Sequence, residues 1–205
     1  RMHARLVTLV VDPDECAIHL AAATVGPDES VAATVESAAR RAFLRGAPDV
    51  AAVLAARAVA LTPPEAGSAL IRRRISIGEY RYHAEDMDAA RTALSELVAE
   101  LPPGELRAEA LLWLACVRKA QNGMAEAAEL ARAALAQAER NTLRAAAERL
   151  LAQALVFVGA VSSAHRHAAA ALGIARSIGD RSSIAESEAT LAWTRFWVGR
   201  GVRID

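Results

Sequence analysis

The apolar positions of this chain show no strand-like alternation. Ala and Leu recur with Arg and Glu between them, and these are the strongest helix formers. The Val-rich stretch Leu6 to Val11 is short and sits beside helical sequence. Breakers cut the pattern at Asp12-Pro13, Gly26-Pro27, Gly46-Ala47-Pro48, Pro63-Pro64, Pro102-Pro103-Gly104, Asn122-Gly123, Gly159, Gly179-Asp180 and Gly199. The intervals predict about ten or eleven helices of ordinary length joined by short turns. Met2 to Val10 reads as the first of them. Asp28 stands where an N-cap is wanted, before Val31 opens the next apolar pattern. Thr62-Pro63-Pro64-Glu65 puts proline at the first helical positions, where a missing N–H costs nothing.

A repeat underlies the breakers. Gly46, Ala84, Gly123, Gly159 and Gly199 each end a helix and open a turn, at intervals of 38, 39, 36 and 40 residues. Five residues after the first four stand Ala51, Ala89, Ala128 and Ala164. Seven residues before all five stand Ala39, Ile77, Cys116, Ala152 and Ala192. In a helix–turn–helix unit those two positions face each other, and small side chains there let antiparallel helices approach. This is the register of a tetratricopeptide (TPR) repeat, slightly lengthened and poor in the large consensus residues. The expected fold is all-α: a right-handed α-solenoid of TPR-like antiparallel helix pairs. The alternative is an irregular Ala-rich helical bundle.

Composition narrows the function. The chain has 205 residues, 51 of them Ala, with 24 basic and 24 acidic side chains. The basic residues are 23 Arg and a single lysine, Lys119. A zero net charge argues against a broad nucleic-acid-binding surface. Arg or Glu interrupts every apolar run before the roughly 18 residues a membrane span needs. Two cysteines exclude a disulfide scaffold. The chain opens on Arg1 without a signal-like segment, so it reads as a piece of something longer.

Two segments carry a resemblance. One runs from Arg1-Met-His-Ala-Arg-Leu through Asp12-Pro-Asp-Glu-Cys-Ala-Ile-His-Leu to Arg45-Gly-Ala. The other runs from Ala89-Ala-Arg-Thr-Ala-Leu to Leu101-Pro-Pro-Gly-Glu-Leu-Arg-Ala-Glu-Ala-Leu-Leu-Trp-Leu-Ala. With Ala58-Val-Ala-Leu-Thr-Pro, they resemble large actinobacterial ATP-binding transcriptional regulators of the LuxR family. That resemblance implies an AAA-type ATPase, a helical region, TPR-like repeats and a C-terminal helix-turn-helix domain, working in the cytoplasm in signal transduction. Residues 1–27 would link from an upstream ATPase, and residues 28–205 would be the repeats. No G-x-x-x-x-G-K-[ST] loop is present, so ATP and DNA binding would belong to the parent protein. The implied role is a non-enzymatic sensor or interaction segment without a cofactor of its own. Its expected partners are a protein, peptide or small effector, the neighbouring domains, and a second copy through the apolar edge of Val198, Val202 and Ile204. The rivals are a free-standing TPR-type scaffold for peptides or partner helices and a ligand-gated or catalytic helical domain, for which no nucleophile or metal speaks.

Candidate chemistry is sparse. His165 and His167 are two apart, about 200° around a helix, so they cannot share a metal, and both read as solvated. His19 reads as a packed histidine. Cys116 reads as a small core hydrophobe at a crossing position. Glu85, Asp86 and Asp88 read as capping charges. Arg72-Arg73-Arg74 reads as a solvated helix face, against an anion contact. No nucleophile, metal site or cofactor site emerges. The aromatics are more telling. With each turn residue set as repeat position 15, Phe43, Tyr82, Trp113, Phe157, Trp193, Phe196 and Trp197 fall on the positions that line a TPR groove, and Tyr80 does not. Arg74, Arg81 and Arg149 join them on that face. The expectation is a groove of aromatic platforms and guanidinium groups. The alternative is that the aromatics fill volume which Ala cannot.

Overall fold

The computed structural model describes residues 12–199. Among them are ten α-helices, one short 3₁₀ turn and no strand. The predicted helix over Met2–Val10, and Val202 and Ile204, lie outside the described residues. The described residues form two compact units, divided between Ala93 and Leu94.

The first unit holds α1 (Pro13–Ala23), α2 (Glu29–Leu44), α3 (Pro48–Leu61) and α4 (Ser68–His83). Asp28 caps α2 as predicted: its carboxylate accepts the N–H groups of Ser30 and Val31. The proline pair behaves differently from expectation. Pro64–Ala66 forms only a 3₁₀ turn, and α4 starts after Gly67, whose φ of 52° breaks the helical path. Ala17 and Ala21 of α1, Val31, Val35 and Ala38 of α2, Ala51, Ala55 and Ala58 of α3 and Tyr80 of α4 make one core. Residues this small let the helices approach closely, so contact area comes from backbone proximity as much as from side chains.

Helix α5 (Met87–Glu100) contains the boundary between the units. The second unit continues through α6 (Glu105–Ala120), α7 (Met124–Leu135), α8 (Asn141–Phe157), α9 (Val161–Ile178) and α10 (Arg181–Trp197). From α6 to α10 each helix packs on the next, and α8 also packs on α6 and α10. Nearest-neighbour and next-nearest contact of this kind is the packing of stacked helix pairs.

One turn closes every pair. At Gly46, Glu85, Asn122 and Gly159 the backbone is left-handed, with φ of 80°, 61°, 63° and 81°. The N–H of each bonds the carbonyl three residues back, and the following N–H bonds the carbonyl five residues before it. Gly199 repeats the conformation and the first bond. The repeat is therefore set by Glu85 and Asn122, not by the Ala84 and Gly123 that composition pointed to. The shift is one residue, in opposite directions. Glycine marks this turn in three repeats; a strained Glu and a tolerant Asn occupy it in the other two.

The corrected register tidies the crossings. Five residues beyond the turn stand Ala51, Ala90, Ala127 and Ala164, all fully buried. Seven residues before it stand Ala39, Gly78, Ala115 and Ala152, all buried. The half-buried Ile77, Ala89 and Cys116 are their neighbours, not the crossing residues. Cys116 packs at the edge of the second unit's core, where burial pushes its thiol pKa up.

Candidate functional site

The second unit carries a cavity of about 600 Å³. Its walls come from the first helices of three successive pairs, α6, α8 and α10, with Met124 from the start of α7. Arg149, Gln153 and Phe157 stand four residues apart on one face of α8. Glu186, Ala189, Thr190 and Trp193 form the facing stripe of α10, and Lys119 closes the α6 side.

A polar chain runs along the floor. Lys119 Nζ donates to Gln153 Oε1 at 2.6 Å. Gln153 Nε2 donates to Thr190 Oγ1 at 3.3 Å, and that hydroxyl donates to the Glu186 carbonyl at 3.0 Å. Arg149 pairs with the Glu186 carboxylate at 2.8 Å. Burial lowers the pKa of Lys119, and the Arg149 charge lowers it further against a partial offset from Cys116. Phe157 and Trp193 meet with ring centroids 5.7 Å apart; Trp193 meets Trp197 at 6.5 Å, and Trp197 meets Phe196 at 5.9 Å. Phe157, Phe196 and Trp197 are 63%, 61% and 52% exposed. Four aromatic residues thus gather at the C-terminal ends of α8 and α10, mostly in water.

Of the residues singled out in sequence, this cavity collects Arg149, Phe157 and Trp193, with Phe196 and Trp197 beside it. Phe43 lines a separate cavity in the first unit with Glu36, Arg40, Ser76 and Tyr80. It stacks on Tyr80 and His83, with centroids at 4.9 and 5.0 Å. Tyr80, which the repeat positions set aside, is therefore part of a wall. Tyr82, Trp113, Arg74 and Arg81 are half-buried and line neither cavity. The one-residue shift accounts for three of them: it turns Trp113, Arg74 and Arg81 about 100° around their helices and off the groove positions, while Tyr82 keeps a groove position without lining either cavity. The same shift brings Lys119 onto the cavity wall, where sequence counting had not put it. Arg81 instead bonds Asp86 at 3.2 Å.

Two other sequence readings are corrected. Arg73 is not on a solvated face: it is 3% exposed, bonded to Glu29, Glu36 and Thr62. Arg72 alone of that run is exposed. His165 and His167 are both half-buried and bonded. His165 Nδ1 lies 3.3 Å from Thr194 Oγ1, and His167 Nδ1 lies 2.6 Å from Glu148 Oε2. Among the described residues no group of three His, Cys, Asp or Glu could hold a metal ion, and no helix is long and apolar enough to cross a membrane.

No protein-family model and no curated protein sequence matches the chain. Solved structures do. The chain is similar to the nearly identical TPR-like repeats of a kinesin light chain-type protein from Podosopora anserina, at 21% identity and a TM-score of 0.66. The match covers 84% of this chain and 89% of that one. A second crystal structure, of a variant of the same repeats, matches at 21% identity and a TM-score of 0.67, covering 84% and 88%. The fold is that of TPR-like helical repeats.

Proposed function

We propose that this chain is a protein-interaction segment of a LuxR-family transcriptional regulator, with no enzymatic activity of its own. The observation that carries the interaction reading is the aromatic patch of Phe157, Trp193, Phe196 and Trp197. Three of its four residues are more than half exposed. Aromatic residues clustered on a rigid pair of helices are favoured anchors at interfaces, because they bury much area at little entropic cost. A partner helix or a neighbouring domain covering the patch would bias the regulator between conformations. The regulator reading is supported by the resemblance of the segments at Arg1–Ala47 and Ala89–Ala115, in that order and spacing.

Two experiments test the two halves. The reading frame on either side of this chain should encode a phosphate loop upstream and a helix-turn-helix downstream. A frame with neither would remove the regulator and leave a free-standing scaffold. In the parent protein, Phe196→Ser combined with Trp197→Ser should abolish transcriptional output without lowering the unfolding temperature. Unchanged output would contradict the interaction surface.

A further inference from the structure

We propose that the cavity between α6, α8 and α10 binds a small organic monoanion with an apolar body. Lys119 meets the anionic group, and Phe157, Trp193 and Met124 hold the rest. This goes beyond the interaction reading and does not depend on the regulator context.

The charges in the wall do not balance. Arg149 is neutralised by Glu186 at 2.8 Å. Lys119, the only lysine in the chain, is half-buried, and no carboxylate among the described residues pairs with it. Its single bond goes to a neutral amide oxygen, which leaves two N–H donors unused. Buried ammonium groups are normally paired, because desolvation is otherwise uncompensated. Here one positive charge is left over, beside walls of aromatic and thioether surface. The depressed Lys119 pKa agrees with an ammonium that lacks its counter-ion.

Size and donors choose the occupant. About 600 Å³ is the volume of a small-molecule site. An extended peptide brings a row of backbone donors and acceptors that a binding site must pair. The one amide in the wall, Gln153, is engaged at both ends, by Lys119 and by Thr190. That chain also fixes the ammonium in place, so a ligand anion would meet a positioned donor. A single surplus charge fits a carboxylate or sulfonate better than a phosphate dianion.

The probes are 4-(1-naphthyl)butyrate and its neutral carboxamide, titrated calorimetrically into the full 205-residue chain. The carboxylate should bind about tenfold or more tightly than the amide, because only it forms a charge-assisted bond. Lys119→Met should erase that preference and leave amide binding unchanged. Lys119→Arg should retain the preference, and Phe157→Ala should weaken both probes. Circular dichroism and thermal unfolding confirm that each variant is folded. Equal binding of the two probes, a preference that survives Lys119→Met, or no carboxylate binding up to millimolar concentration would overturn the proposal. Tight binding of an acidic peptide by the same residues, with no binding of the small carboxylate, would overturn it in favour of a peptide site.

Discussion

Arg73 shows how a buried charge is kept in a core built mostly of Ala. The guanidinium is 3% exposed, while its partners Glu29 and Glu36 are 47% and 46% exposed. The cost of breaking the cluster therefore depends on which side is removed. Arg73→Met leaves carboxylates that water can solvate. Glu29→Gln with Glu36→Gln strands a buried cation, which should cost about 3–5 kcal/mol. Urea unfolding should rank the double variant well below Arg73→Met; the reverse order would contradict this reading. The Arg73 hydrogen bond holds the Glu29 pKa below its ordinary value. A carboxylate with a depressed folded pKa adds stability above its unfolded value, and that stability is lost as pH falls through the folded value. The Glu29 contribution to unfolding free energy should be lost below about pH 4.3, so the fall there should be less steep in Arg73→Met. Ser187 presents the opposite case. Its hydroxyl is buried with no partner among the described residues. Ser187→Ala should raise stability by about 1 kcal/mol in the same assay, and a loss would show that the hydroxyl is satisfied.

At the scale of the element, the turn decides the register. A non-glycine residue with left-handed backbone costs roughly 1–2 kcal/mol, less for Asn than for Glu. Glu85→Gly should therefore stabilise the first unit by about 1 kcal/mol, and Gly46→Ala should destabilise it by a similar amount. Thermal unfolding distinguishes these signs, and equal effects would mean that the turn does not constrain the chain. This is also where sequence reading stopped. Helix content, the short connections and the N-cap at Asp28 were legible because caps, prolines and Ala-rich composition act locally. The turn in the second and third repeats was not. Ala84 and Gly123 stand next to the left-handed residues and satisfy the same compositional pattern. A one-residue slip rotates a helix face by about 100°, which misplaced Trp113 and hid Lys119. The burial of Arg73 was equally invisible, since its partners Glu29 and Glu36 lie on another helix and Thr62 just beyond a third.

Across the whole molecule, the proposed binding surfaces are presented mainly by the first helices of the pairs. Phe157 is mostly exposed, so Phe157→Ala should cost under about 1 kcal/mol of stability, far below the roughly 3–5 kcal/mol of a core aromatic. Its loss should appear in binding instead. The chain should show no magnesium-dependent ATP binding by calorimetry, for want of a phosphate loop; micromolar affinity would overturn the reading of its place in a larger protein.

All of these assignments depend on which residue of each first helix sits at the crossing. Urea unfolding of Ala115→Leu beside Cys116→Leu measures that directly. Ala115 is fully buried where two helices meet, while Cys116 is half-buried at the core edge. With the register described, Ala115→Leu should overpack the crossing and lose about 1–3 kcal/mol, and Cys116→Leu should change stability by less than about 1 kcal/mol. A larger loss at Cys116 than at Ala115 would return Trp113 to the groove face, remove Lys119 from it, and contradict the account.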